Sequence, residues 1–208
     1  LETFLNVPLS IYVLLNKLGV ILHCSSVCKD EKVYAFSGKK GVGKSSILQT
    51  FLKLDDLGYD FYSDDTIRLK TDDSNQCYPS IPIIKLVDYK HSDNDKSLYC
   101  NSAGKYFVPV QNGVFKSQYF CAYELQKVLF LNNRSSKLQR RELNNNNVIV
   151  PLLCNNISGY SQLPEELKEE CIVQVKSMEA KFSCEIISFV DNKITMEENI
   201  KEIFGCAT

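Results

Sequence analysis

The sequence carries almost no excess charge of either sign. Its 24 Lys and Arg stand against 25 Asp and Glu, a net charge of -1, which leaves no basic footprint for coating a phosphate backbone, so no nucleic-acid partner is expected. A long apolar run is missing as well. The most apolar early stretch, residues 8–20, is interrupted by Asn16 and Lys17, well short of the ~20 residues that a membrane span needs. It reads as a core helix, and no membrane partner is expected. No basic segment with a small-residue cleavage site opens the chain, so the expected compartment is cytoplasmic. The chain begins without Met, which reads as a trimmed end or a piece of a longer protein. Internal repeats are lacking. Nine cysteines are present, but Cys24 and Cys28 have no second close pair and no His cluster beyond His23, so a zinc site is not expected. An odd count in a chain of this size reads as reduced thiols rather than a disulfide framework.

What is there suits one folded domain over residues 1–208. Hydrophobic residues make up 44% and charged residues 24%, close to the soluble average. Leu9, Val13, Leu14 and Leu18 recur at helical spacing over 8–18, and residues 20–27 read as a strand. A charged turn over 29–32 precedes a short apolar strand at 33–36 and then a glycine-rich segment. Residues 45–54 form an amphipathic helix pattern. Residues 59–62 read as a strand that ends at Asp64 and Asp65, and 83–87, 106–110 and 128–131 read as further strands. The polar interval 90–103 reads as an exposed loop, and 132–147 as a mobile polar segment with partial helix around 137–143. Leu167, Cys171, Val175 and Met178 line a helical stripe, 184–190 reads as a strand, and Thr195 with Glu198 fits a capping box that opens a last helix.

The glycine-rich segment carries the chemistry. Gly38, Lys39, Lys40, Gly41, Val42, Gly43, Lys44 and Ser45, with Ser46 after them, satisfy the phosphate-loop (Walker A) pattern. A chain of this length shows that pattern by chance roughly one time in a hundred. It follows an apolar strand and opens a helix, so loop amides and the helix N-terminus converge on one anion site. Glycines let the backbone approach phosphates, Lys44 bridges the β- and γ-phosphates, and the Ser45 hydroxyl holds magnesium. Lys39 and Lys40 add positive potential or are simply solvated.

A phosphate loop alone does not choose between kinase, hydrolase and switch. Asp64 and Asp65, adjacent at a strand end, suit one carboxylate that accepts a hydroxyl proton and one that orients magnesium, although adjacent Asp residues are also ordinary turn chemistry. His23, alone in an apolar strand, reads as a hydrogen-bonded core residue.

Taken together, ILHCSSV (21–27), FSGKKGVGKSS (36–46) and YDFYSDDTIRL (59–69) resemble the catalytic domain of HPr kinase/phosphorylase and its compact relatives. The resemblance implies an α/β P-loop fold of the HPr kinase/PEP carboxykinase-like type, a mixed sheet flanked by helices. It further implies ATP or GTP and Mg2+ as cofactors, Asp64 as the base toward a serine hydroxyl, Asp65 and Ser45 near magnesium, His23 near the γ-phosphate, and homo-oligomers. The glycine-rich signature that follows the Asp pair in HPr kinase/phosphorylase has no counterpart here, nor has its N-terminal domain. The expected acceptor is therefore a serine of a ribosomally made precursor peptide or small protein, as with lasso-peptide precursor kinases. A small-molecule hydroxyl kinase and a nucleotide-dependent binding or switch protein are the alternatives.

Overall fold

The computed structural model describes residues 2–72, 74–80, 83–86, 99–100, 106–109, 121–132, 135–178, 181–189 and 193–205. It is a mixed α/β structure in which helices flank a central mixed sheet. Helix α1 (Glu2–Leu15) leads into strand β1 (Val20–Lys29), which turns back as β2 (Lys32–Ser37). The turn is tighter than the sequence pattern predicts. Only Asp30 and Glu31 lie between the strands, both with positive φ (51° and 61°), as a two-residue turn matched to strand twist requires. After β2 come the glycine segment and α2 (Lys44–Phe51). Then follow β3 (Asp60–Ser63), β4 (Thr66–Leu69), β5 (Gln76–Pro79), β6 (Ile83–Leu86), β7 (Tyr99–Cys100), β8 (Tyr106–Pro109) and β9 (Tyr123–Leu131). The chain closes with β10 (Gln139–Leu143), α3 (Asn146–Asn155), α4 (Glu165–Met178), β11 (Ser183–Ser188) and α5 (Lys193–Phe204).

The large sheet runs β10-β11-β9-β2-β1-β4-β5, with β3 also beside β1 and β5 returning to pair with β9. Strands β2, β9 and β11 are mutually parallel, and β1 is antiparallel to β2. The small sheet is β6-β8-β7. Side chains from α1, α3 and α4, including Leu14, Leu153, Cys171 and Val175, cover one face. On the other face α2 and α5 contribute Ile47, Leu48, Phe51 and Ile200. Edge-to-face rings clamp α2 there: Phe51 stands 4.9 Å from Tyr59 and 4.8 Å from Phe204, and Phe36 of β2 lies 6.0 Å from Phe204. Such pairs contribute about 0.5–1.5 kcal/mol each beyond area burial. They fasten the strand before the glycine segment to the helix after it.

Several expectations are corrected. Residues 139–143 form a strand, not a helix: β10 pairs antiparallel with β11, and its Arg140, Arg141 and Glu142 are exposed as charged residues on a sheet edge usually are. The Asn run does not continue as irregular chain but starts α3, capped by the Asn145 side chain, which accepts from the Asn147 amide. The first helix starts at Glu2 and passes through Pro8. The last begins at Lys193, so Thr195 lies inside it rather than at its cap. Most of 90–103 lies outside the described residues. The seven cysteines whose side chains are described are all free. No helix among the described residues is long and apolar enough to cross a membrane.

Candidate functional site

Strand β2 ends at Ser37 and α2 begins at Lys44, so the glycine segment occupies the strand-to-helix turn. Gly38, at φ 153°, is pressed against β9: a Cβ there would stand 2.9 Å from the Leu131 carbonyl oxygen. Gly43, the N-cap of α2, has φ 102° and makes no side-chain cap bond. A Cβ on Gly43 would meet nothing within 4 Å. The space in front of the first turn is open, and helix N-terminal amides favour an anion there. Lys44 is buried, and its Nζ donates to the carbonyls of Gly38 (2.8 Å) and Lys39 (3.2 Å), which draws the ammonium back over its own loop. Lys39, Lys40, Gly41 and Ser46 are exposed, and Val42 packs partly against the α2 face of the core.

The Asp pair sits at a break in a strand. Both β3 and β4 pair antiparallel with β1, β3 against residues 26–28 and β4 against residues 20–23, so together they behave as one long partner interrupted at Asp64 and Asp65. Asp65 takes φ 79°, a left-handed conformation that costs a non-glycine residue about 1–2 kcal/mol. The break is held from both sides. The Cys24 amide donates to the Asp65 carbonyl at 3.1 Å, and the Ser63 hydroxyl donates to the Thr66 carbonyl at 2.7 Å. Interruptions of this kind re-aim side chains next to active sites. The two carboxylates are thus turned by a bulge, not split across the faces of a regular strand.

Their surroundings differ. Asp64 is 3% exposed; its Oδ1 accepts from the hydroxyls of Ser25 (2.5 Å) and Ser45 (3.1 Å), and its Oδ2 accepts from the Lys85 backbone amide (2.9 Å). The Asp65 side chain is 24% exposed, with Oδ1 3.6 Å from His23 Nδ1 and Oδ2 2.9 Å from Lys85 Nζ. His23 is anchored through its backbone, whose amide donates to the Asn156 carbonyl and whose carbonyl accepts from the Ser37 hydroxyl. Burial, and then the Lys44 ammonium, hold His23 below the ordinary histidine value against the opposing pull of Asp65. Both effects favour the neutral imidazole.

No protein-family model matches the sequence, and neither does any curated protein. Among solved structures, the chain is similar to the Hpr(Ser) kinase/phosphatase from Coxiella burnetii. The superposition covers 88% of this chain and 95% of that one, at 13% identity and a TM-score of 0.46.

The glycine segment, Lys44, Ser45, His23, Asp64 and Asp65 thus converge beside the C-terminal end of β2 and the middle of β1. Ser45 meets Asp64, not Asp65. Two contributors carry no motif. Ser25 is a fully buried hydroxyl in an apolar strand, and Lys85 is a single cation among Ile83, Ile84 and Leu86. Lys85 is signalled only as a lone polar residue in an apolar strand, and Ser25 only as one of the two adjacent serines, Ser25 and Ser26, in another. A hydroxyl and two carboxylates make an all-oxygen donor set, which fits magnesium, an ion commonly held by one or two carboxylates together with waters and substrate phosphates. Among the described residues no group of three or more His, Cys, Asp or Glu could hold a metal ion by itself; waters and phosphate oxygens would supply the other ligands.

Proposed function

We propose that the chain is a phosphotransferase that moves the γ-phosphoryl group of ATP or GTP to a serine hydroxyl on a peptide or small protein. The observation that supports this reading best is the contact of the Ser45 hydroxyl with Asp64 directly behind the glycine segment. It joins an anion cradle to a pair of carboxylates with different exposures. Lys44 would exchange its two loop carbonyls for the β- and γ-phosphates, a movement that gives the incoming anion a cation already in place. Ser45 and Asp64 would hold magnesium, which when bound supplies charge neutralisation at the phosphates.

Asp65 is the more exposed carboxylate and faces His23. It would accept the serine proton as the hydroxyl oxygen bonds to the γ-phosphorus and the bond from that phosphorus to the β–γ bridging oxygen breaks, the electron pair leaving with the nucleoside diphosphate. This division of labour is the reverse of the one the family resemblance implies. It rests on which carboxylate touches Ser45 and which is the more exposed.

The test is mass spectrometry of serine peptides, including ones with a C-terminal serine, after incubation with magnesium and ATP or GTP. Gain of one phosphoryl group by the wild type, its loss in Asp65→Asn with nucleotide affinity kept, and loss of nucleotide binding in Lys44→Ala are expected. Full transfer by Asp65→Asn would overturn the base assignment. Nucleotide binding with no phosphorylated peptide would return the chain to a small-molecule kinase or a nucleotide-dependent binder.

A further inference from the structure

Lys85 touches both carboxylates of the site, with two different parts of itself. Its backbone amide donates to Asp64 Oδ2 and its ammonium pairs with Asp65 Oδ2, both at 2.9 Å. It comes from β6, a strand of the small sheet rather than the large one. The strand is anchored by the adjacent Ile84, 1% exposed, which packs into the apolar cluster under α2. The Lys85 ammonium also lies 5.8 Å from the centre of the Phe107 ring of β8, and its side chain is only 12% exposed.

Withdrawing an ammonium this far from water is costly, and an ion pair so placed seldom adds more stability than an apolar pair of the same shape. An apolar residue would continue the Ile83, Ile84, Leu86 pattern at lower cost. The cation instead sits on the carboxylate whose backbone is held in a left-handed conformation at the strand break. With one oxygen on Lys85 and the other facing His23, the Asp65 carboxylate is confined to one orientation. A catalytic group held in this way gains rate through position, and a misplacement of about 1 Å costs roughly 100-fold.

We propose that Lys85 is a positioning residue of the phosphoryl-transfer site, orienting Asp65 toward the acceptor with its ammonium while its backbone amide orients Asp64 toward Ser45. The assignment rests on the proposed kinase reading, and it makes the small sheet a working wall of the site.

The experiment is steady-state transfer from ATP·Mg2+ to the serine peptide that the wild type phosphorylates, with Lys85→Met, Lys85→Arg, Asp65→Asn and the Asp65→Asn/Lys85→Met double variant, each checked for folding by thermal melting. Lys85→Met removes the ammonium and keeps the backbone amide. It should lower kcat by about 10- to 100-fold with the KM for ATP within about 3-fold, Lys85→Arg should recover most of the loss, and Lys85→Met should add less than about 2-fold to the defect of Asp65→Asn, as coupled residues do. Should Lys85→Met fail to fold, Lys85→Gln, which keeps a polar stem without the charge, is measured in its place against the same expectations. Wild-type kcat in the charge-removed variant, or a loss that multiplies in full with that of Asp65→Asn, would overturn the positioning role and leave the kinase reading standing. Absence of transfer by the wild type to every serine peptide would overturn both.

Discussion

The Ser45 hydroxyl donates to Asp64 Oδ1 across 3.1 Å, tying the first turn of α2 to the break between β3 and β4. With the bonds from Ser25 and the Lys85 amide, this bond accounts for how Asp64, 3% exposed, is kept out of water: hydrogen-bond donors meet both its oxygens. In the proposed kinase these two groups share one magnesium ion, so Ser45→Ala should weaken the metal-dependent part of nucleotide affinity and spare the rest. A loss of one charge-assisted contact of about 1.5–3 kcal/mol corresponds to roughly 10- to 100-fold in affinity. Calorimetric titration of ATP with and without magnesium checks it. Without metal, the wild type and Ser45→Ala should bind nucleotide almost equally, and chelation by EDTA should abolish transfer in both.

Two glycines of the cradle should fail in different ways when a methyl group is added. Gly43 opens onto free space, with φ 102°, whereas Gly38, at φ 153°, would drive its Cβ to 2.9 Å from the Leu131 carbonyl. Gly43→Ala meets only the backbone strain of a positive φ, about 1–2 kcal/mol, but places its methyl group at the mouth of the anion site. Gly38→Ala adds a clash with β9 backbone to its strain. Gly43→Ala should therefore lose nucleotide affinity by at least about 10-fold with a modest fall in stability, and Gly38→Ala should lose more stability than Gly43→Ala does. Urea unfolding set beside nucleotide titration separates the two. Equal unfolding midpoints for both variants would show that the Gly38 packing is unimportant.

The parts of this molecule that were legible in the sequence are the local ones. The strand, glycine segment and helix from 33 to 51 announce themselves because their chemistry is spelled out within a few residues. The helical stripe of Leu167, Cys171, Val175 and Met178 is equally short-ranged, and it is helix α4. Features made by distant pairing were not legible. Arg140, Arg141 and Glu142 favour helix locally, yet they are an edge strand because β11, some 40 residues on, offers a partner. The left-handed Asp65 follows from β3 and β4 sharing β1, which no local pattern encodes. Lys85 reaches the site from a different sheet, so nothing near residues 64 and 65 pointed to it. Asn145, within a run that looked irregular, caps a helix instead.

Glu185 provides a stability test that does not depend on the proposed activity. It is 7% exposed on β11, and it accepts from Lys127 Nζ at 2.5 Å and from Arg140 Nε and Nη2 at 3.0–3.2 Å. Burial alone would raise its carboxyl, but the hydrogen bonds from Lys127 and then Arg140, with their charges, outweigh it and hold the group below the ordinary glutamate value of 4.5. The folded chain then binds this proton less readily than the unfolded chain does. The resulting stabilisation is fully present above about pH 4.5 and is lost as the pH falls through the lower folded value. Glu185→Gln should cost about 1–3 kcal/mol at pH 7, with the lower part of that range favoured because water can reach both cations, whose side chains are 24% and 38% exposed. The same substitution should flatten the fall in stability below about pH 4.5, since the group that titrates there is gone. Urea unfolding of wild type and variant at pH 7, 5 and 4 reads both effects. A difference between the two proteins that stays constant across that range would mean that Glu185 stabilises the fold by packing alone.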